Sequence, residues 1–181
     1  MQKRRLGGTG LKVSEIGLGT VKFGRNQAVK YPQSFSLPSD IELEKLLATA
    51  SELGINLLDT APAYGSSEER LGKLLHGKRH DWILSTKVGE EFVDGKSRFD
   101  FSAAAIQASV ERSLKRLQTD YLDVVLVHSD GNDMHLIEQE NVFLMLEQMK
   151  QAGKIRSFGM STKTIAGGLL ALVQADVVMV T

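Results

Sequence analysis

The chain of 181 residues has no cysteine, no excess of charge of either sign and no apolar run of membrane-spanning length. Without cysteine there is no disulfide framework, no thiolate metal site and no cysteine nucleophile, and a reducing compartment suits the chain. Twenty-two lysines and arginines balance twenty-two aspartates and glutamates. That balance points away from nucleic acid and from a membrane surface as partners. The start, Met1-Gln2-Lys3-Arg4-Arg5, is basic, but Gly7, Gly8, Thr9 and Lys12 interrupt any apolar segment behind it, which argues against an export signal. The expectation is a cytoplasmic protein whose residues 1–181 form a single domain, with 42% hydrophobic residues to build its core.

What the chain does contain is a repeating alternation. Residues 4 to 13 alternate loosely around Gly7-Gly8-Thr9-Gly10 and predict a small hairpin. Those glycines match neither phosphate-binding fingerprint, and no helical pattern follows them. Ser14 to Thr20 reads as a strand, and residues 24 to 38 as a loop. Ser39 with Glu42 predicts a capping box, after which Ile41, Leu43, Leu46, Leu47, Ala50 and Leu53 recur at helical spacing up to Gly54. Ile55 to Leu58 is the next strand, and Ser66 with Glu69 predicts a second capping box on a short helix ending near Leu75. Trp82 to Lys87 is a strand, Gly89 to Asp100 a polar loop, and Ser102 to Leu117 a helix with Ile106, Val110, Leu114 and Leu117 on one face. Tyr121 to His128 is the most hydrophobic strand. A helix over Asn141 to Gln151, a strand over Ile155 to Met160, a helix over Thr164 to Val173 and a strand from Val177 to Val180 complete the series.

Six apolar runs separated by amphipathic helices predict βαβ units and a parallel sheet covered on both faces. The lack of a glycine-rich phosphate turn after the first strand favours a (β/α)8 barrel over a doubly wound dinucleotide fold. A full barrel takes eight strands and roughly 250 residues. The expectation is an α/β TIM barrel of which the chain carries a hairpin and about six strands and lacks the C-terminal third. Unpaired edges of such an arc favour self-association.

Asp59, Lys87, His128 and Ser161 fall where strands end, and Tyr64 lies in the loop after one of them. In a parallel barrel those ends converge on one mouth, where chemistry is placed. Metal binding is weakly signalled. His76 and His80 have Gly77 between them, and Asp130-Gly131-Asn132-Asp133 lacks the distant acid of a calcium loop.

Over nearly its whole length the chain resembles the aldo-keto reductases. The residues that carry the likeness are Gly17-Leu18-Gly19-Thr20, Asp59-Thr60-Ala61 with Tyr64-Gly65, Ser85-Thr86-Lys87, Ser113-Leu114 with Arg116-Leu117, Tyr121-Leu122-Asp123 running to His128, and Gly153-Lys154-Ile155-Arg156 leading to Gly159 and Ser161. The resemblance implies interconversion of a small-molecule carbonyl and its alcohol with NADP(H), NAD(H) not being excluded. It implies Tyr64 as proton donor with Lys87, Asp59 and His128 as its partners, and Gly19, Thr20, Val21, Asp59, Ser161 and Thr162 around the cofactor. Lys87 is expected to favour the ionised form of the Tyr64 phenol, and a neutral His128 to donate to the carbonyl. Two positions depart from the family pattern: Thr162 stands where asparagine is common, and Met179 where glutamine is common. A second reading is a nucleotide-binding, redox-sensing barrel without turnover, since some members of that family act as channel-associated subunits.

Overall fold

The computed structural model describes residues 1–29 and 31–180. The chain opens with an antiparallel hairpin, β1 (Lys3–Arg5) and β2 (Lys12–Ser14), paired with Arg4 opposite Val13. Its turn is closed by Leu6 and Leu11, and both leucines reach Val124 and Leu126 on the inner face of the sheet. The hairpin thus plugs the amino-terminal end of the strands. Asn56 fixes it there: its Oδ1 accepts from Ser14 N (2.7 Å) and its Nδ2 donates to the Lys12 carbonyl (2.9 Å).

Alternation of strand and helix follows as the pattern predicts. The order is β3 (Gly17–Gly19), a short α1 (Val21–Gly24), α2 (Asp40–Glu52), β4 (Leu57–Asp59), α3 (Ser67–Leu74) and β5 (Ile83–Val88). After β5 come a second hairpin, β6 (Glu90–Val93) and β7 (Lys96–Phe99), then α4 (Ala103–Arg116), β8 (Leu122–His128), α5 (Asp133–Glu138), α6 (Val142–Gln151), β9 (Ile155–Thr162), α7 (Ile165–Gln174) and β10 (Val177–Val180). Six strands form one parallel sheet in the order β3-β4-β5-β8-β9-β10, an arc of six adjacent staves of a (β/α)8 barrel. Alternate residues face the helices, and Leu58, Leu84, Val125 and Val127 are fully buried there. Each contributes roughly 1.5–3 kcal/mol through burial.

Several local expectations are corrected. The stretch read as a polar loop, Gly89 to Asp100, is a hairpin with its turn at Asp94 and Gly95, both at positive φ (53° and 77°). That backbone gives the tight turn whose twist matches two strands. The Ser39–Glu42 capping box forms, but Ser66 makes no cap bond. The neighbouring Ser67 hydroxyl turns into the core instead, and Glu69 reaches Arg116 (3.3 Å). On α2 only Leu43, Leu47 and Ala50 are buried, while Ile41, Leu46 and Leu53 face outward. The outer face of α7 and the edge strand beside it leave Ile165, Leu169, Leu172, Val173 and Val180 exposed.

Candidate active site

The inward-facing residues at the carboxyl ends of adjacent strands make one cluster. The sheet register pairs Asp59 with Ser85, and His128 with Ser161, while Lys87 lies two residues beyond Ser85 on the same face. Lys87 is almost fully buried, 2% exposed, and its Nζ donates to both oxygens of Asp59 (2.6 and 2.7 Å) and to the Thr60 carbonyl (3.1 Å). Ser85 adds a fourth anchor, its hydroxyl donating to Asp59 Oδ1 at 3.0 Å. Burial lowers the Lys87 pKa and Asp59 opposes that shift, so the pair is held by mutual need in a dry setting.

Tyr64 ends a 3-10 turn, Pro62–Tyr64, and the Lys87 ammonium lies 5.1 Å from its ring centroid. Among the described residues the Tyr64 hydroxyl makes no hydrogen bond, which leaves it free for a ligand. The turn is seated by close backbone contact. A Cβ on Gly24 would come within 2.5 Å of the Tyr64 carbonyl and 2.2 Å of Ser67 N. Beneath it, Ser67 Oγ joins the Thr20 hydroxyl (2.8 Å) to that of Thr60 (3.1 Å), and Thr20 Oγ1 donates to the Asp59 carbonyl at 2.9 Å. This buried bracket ties the ends of β3 and β4 to α3.

The Tyr64 pKa shifts opposite to expectation. Burial pushes the phenol up, and the negative charges of Asp59 and Glu90 push the same way, only partly offset by Arg25. Burial is the largest of these effects, and the negative charge of Asp59 adds to it.

Glu90, the first residue of β6, was not foreseen as part of the site. Its Oε2 lies 2.6 Å from His128 Nδ1, and its Oε1 accepts from Ser97 Oγ at 2.5 Å. The His128 contact is short but too bent for a full hydrogen bond, leaving Nδ1 buried and otherwise unpartnered. Burial would raise the Glu90 carboxyl, yet His128, Ser97 and Arg25 together hold it below the ordinary range. The signal that could have found it is Asp94-Gly95 between alternating residues, a hairpin signature placing an acid just past the strand of Lys87.

The expected cofactor residues divide into two groups. Among the described residues, its two chain neighbours apart, nothing lies within 4 Å of a Cβ built on Gly19, and the Ser161 hydroxyl makes no hydrogen bond. Thr20 is fully buried within the bracket, and Thr162 donates to the Met179 carbonyl at 3.3 Å. Val21 opens α1 and is partly exposed. Of the weak metal motifs, His80 lies on the surface beside Asp81. The loop carboxylates turn inward on the protein, Asp130 accepting from Asn132 N at 2.8 Å and Asp133 from Lys163 N at 2.9 Å and Thr164 N at 2.7 Å.

This arrangement of strands agrees with a comparison of the sequence with known families: the model of the Aldo/keto reductase family matches residues 15–171. The chain belongs to that family. It is 38% identical over 168 residues to the uncharacterized oxidoreductase YqkF of Bacillus subtilis, covering 90% of this chain and 49% of that protein. To the L-galactose dehydrogenase of Arabidopsis thaliana it is 36% identical over 167 residues, covering 89% and 48%. The chain thus spans about half the length of the curated relatives it matches. Among solved structures, a provisionally assigned aldo-keto reductase of Pseudomonas aeruginosa superposes with a TM-score of 0.91 at 57% identity, covering 98% of this chain and 67% of that one. An aldo-keto reductase of Bacillus halodurans in its holo form gives 0.82 at 35% identity, covering 100% and 57%. These aldo-keto reductase neighbours bear out the barrel reading: the six-stranded arc is part of the TIM barrel of that family.

Proposed function

We propose that the protein interconverts an aldehyde or ketone and its alcohol, with Tyr64 as the group that moves a proton at the substrate oxygen. The observation that carries this reading is the Tyr64 hydroxyl, unpaired and beside the buried Lys87–Asp59 ion pair, with the Lys87 ammonium 5.1 Å from its ring. The open backbone at Gly19 and the unpaired hydroxyl of Ser161 suit a flat nicotinamide amide, and NADP(H) or NAD(H) is the cofactor class the family suggests. When bound, such a cofactor supplies the hydride that reduces the carbonyl carbon.

The chain's own residues act on the oxygen. As the carbonyl carbon gains a hydride, its oxygen gains negative charge, and Tyr64 donates the phenolic proton to it. A raised phenol pKa is compatible with this step because an alkoxide is a stronger base than a phenolate. The phenolate left behind faces the Lys87 ammonium and is reprotonated from solvent. Asp59 holds Lys87, and Ser85 holds Asp59, so the cation does not drift during the cycle. His128, at the carboxyl end of β8, is the second group turned to that oxygen.

The test is consumption of NADPH by the 181-residue chain with a reactive aldehyde, set beside a cofactor-binding titration. Turnover that depends on both substrates supports the reading. Binding without turnover supports a nucleotide-sensing barrel instead.

A further inference from the structure

The contact between Glu90 and His128 decides more than the position of a ring. A neutral imidazole has one nitrogen that donates and one that accepts, and the neighbour of one nitrogen dictates the state of the other. The neighbour of Nδ1 is a carboxyl oxygen at 2.6 Å. Burial works against ionisation of Glu90, but His128, the Ser97 hydroxyl and Arg25 hold the carboxyl below its ordinary range, so it is ionised at neutral pH. An ionised carboxylate only accepts. If the ring carried its proton on Nε2, the Nδ1 lone pair would face an oxygen lone pair at 2.6 Å, with Nδ1 sealed from solvent and no other partner near it. Two buried acceptors set against each other are costly. A proton on Nδ1 removes that cost, and because χ2 of histidine is soft, a small ring rotation straightens the bond. Among the described residues Nε2 makes no hydrogen bond, and it is not sealed off as Nδ1 is.

We propose that Glu90 is a positioning residue that keeps a proton on His128 Nδ1, so that the accessible Nε2 is the unprotonated nitrogen of the neutral ring. The inference rests on the reading of the mouth as a carbonyl–alcohol site and adds to it which form of the ring nitrogen faces the substrate oxygen. A carbonyl oxygen has no proton and needs a donor; an alcohol has one and can use an acceptor. This placement of the ring proton replaces the expectation that a neutral His128 donates to the carbonyl. The β6–β7 hairpin is what delivers Glu90, so the hairpin serves the proton inventory of the site and not only its rim.

The charged and titratable groups facing the pair come from every element packed on it. Arg25 at the end of α1 and Lys87 on β5 are positive; Asp59 on β4 is negative, and Tyr64 follows β4 in the 3-10 turn. On β9, Ser161 sits level with His128 and is uncharged. Lys87 and Asp59 offset one another, and Arg25 sides with an ionised Glu90.

The direct test is nitrogen NMR of the histidine rings in the 15N-histidine-labelled chain. The four histidines are His76, His80, His128 and His135, and the His128 signals are those missing from His128→Asn. Wild type at a pH where the ring is neutral is expected to show a protonated Nδ1 and a pyridine-like Nε2. In Glu90→Gln the pattern is expected to shift toward a protonated Nε2, with the other three rings unchanged. A protonated Nε2 in neutral wild-type His128 overturns the proposal, as does a Glu90→Gln ring that keeps the Nδ1 pattern. The wild-type spectrum decides by itself should the variant not fold. Because the spectrum needs no turnover, it separates failure of the Glu90 assignment from failure of the enzymatic reading.

Discussion

Lys87 Nζ lies 2.6 and 2.7 Å from the two carboxylate oxygens of Asp59, and 3.1 Å from the Thr60 carbonyl, at the carboxyl ends of the strands. All three ammonium donors are therefore matched inside the protein. A cation so buried is tolerable only while its partner is ionised.

Asp59→Asn should leave that ammonium without a counter-charge and cost roughly 3–5 kcal/mol of stability. Lys87→Met combined with Asp59→Asn should recover a large part of the loss, since a neutral pair leaves no orphan charge. Urea denaturation of the two single variants and the double variant checks this. Equal losses that simply add would show that the two side chains act independently.

Gly24→Ala should damage the site without touching an ionisable group. The new methyl would lie 2.2 Å from Ser67 N and 2.5 Å from the Tyr64 carbonyl, so the Tyr64 turn must move. The expected cost is roughly 1–3 kcal/mol of stability, with turnover falling more than cofactor affinity. Wild-type turnover in this variant would mean that the seat of the turn has no bearing on Tyr64.

Asp133 links the loop after β8 to the start of α7. Its carboxylate accepts from the Ser129 hydroxyl, from Thr164 Oγ1 (2.7 Å) and from the backbone of Lys163 and Thr164. Burial alone would raise its pKa, but those donors hold it below the ordinary carboxyl range. The folded value lies below the unfolded one, so the unfolded chain takes up the proton first. The stabilisation is present above the ordinary carboxyl range and fades as pH falls through the folded value. Asp133→Asn should therefore lower the denaturation midpoint at neutral pH and lower it less at acid pH. A gap that widens toward acid would reverse the sign of this account.

Much of the site was legible because the strands announce their own ends. Apolar runs that stop on Asp59, Lys87 and His128 place those residues at the carboxyl ends of parallel strands, where the register brings them onto one inner face. Tyr64 was legible as a loop residue just past the Asp59 strand end, but its part as proton donor came only through family resemblance, since nothing in Pro62-Ala63-Tyr64 forecasts a 3-10 turn that brings the ring to Lys87. Glu90 was hidden inside a segment read as a loop, although Asp94-Gly95 carries the turn chemistry of a hairpin. Ser66 failed as a cap because the adjacent Ser67 had a better use for its hydroxyl, inside the Thr20–Thr60 bracket. Such choices depend on neighbours more than 40 residues away in sequence, and local spacing does not contain them.

The central claim is that the Tyr64 hydroxyl moves the proton at the substrate oxygen. Tyr64→Phe removes that oxygen and little else, because the hydroxyl makes no hydrogen bond among the described residues. Steady-state turnover of wild type and Tyr64→Phe with NADPH and a reactive aldehyde, together with cofactor titration of both, tests it directly. The account predicts turnover lower by roughly 100- to 10,000-fold with cofactor affinity nearly unchanged. Full turnover in the variant, or a loss wholly explained by weaker cofactor binding, would contradict it.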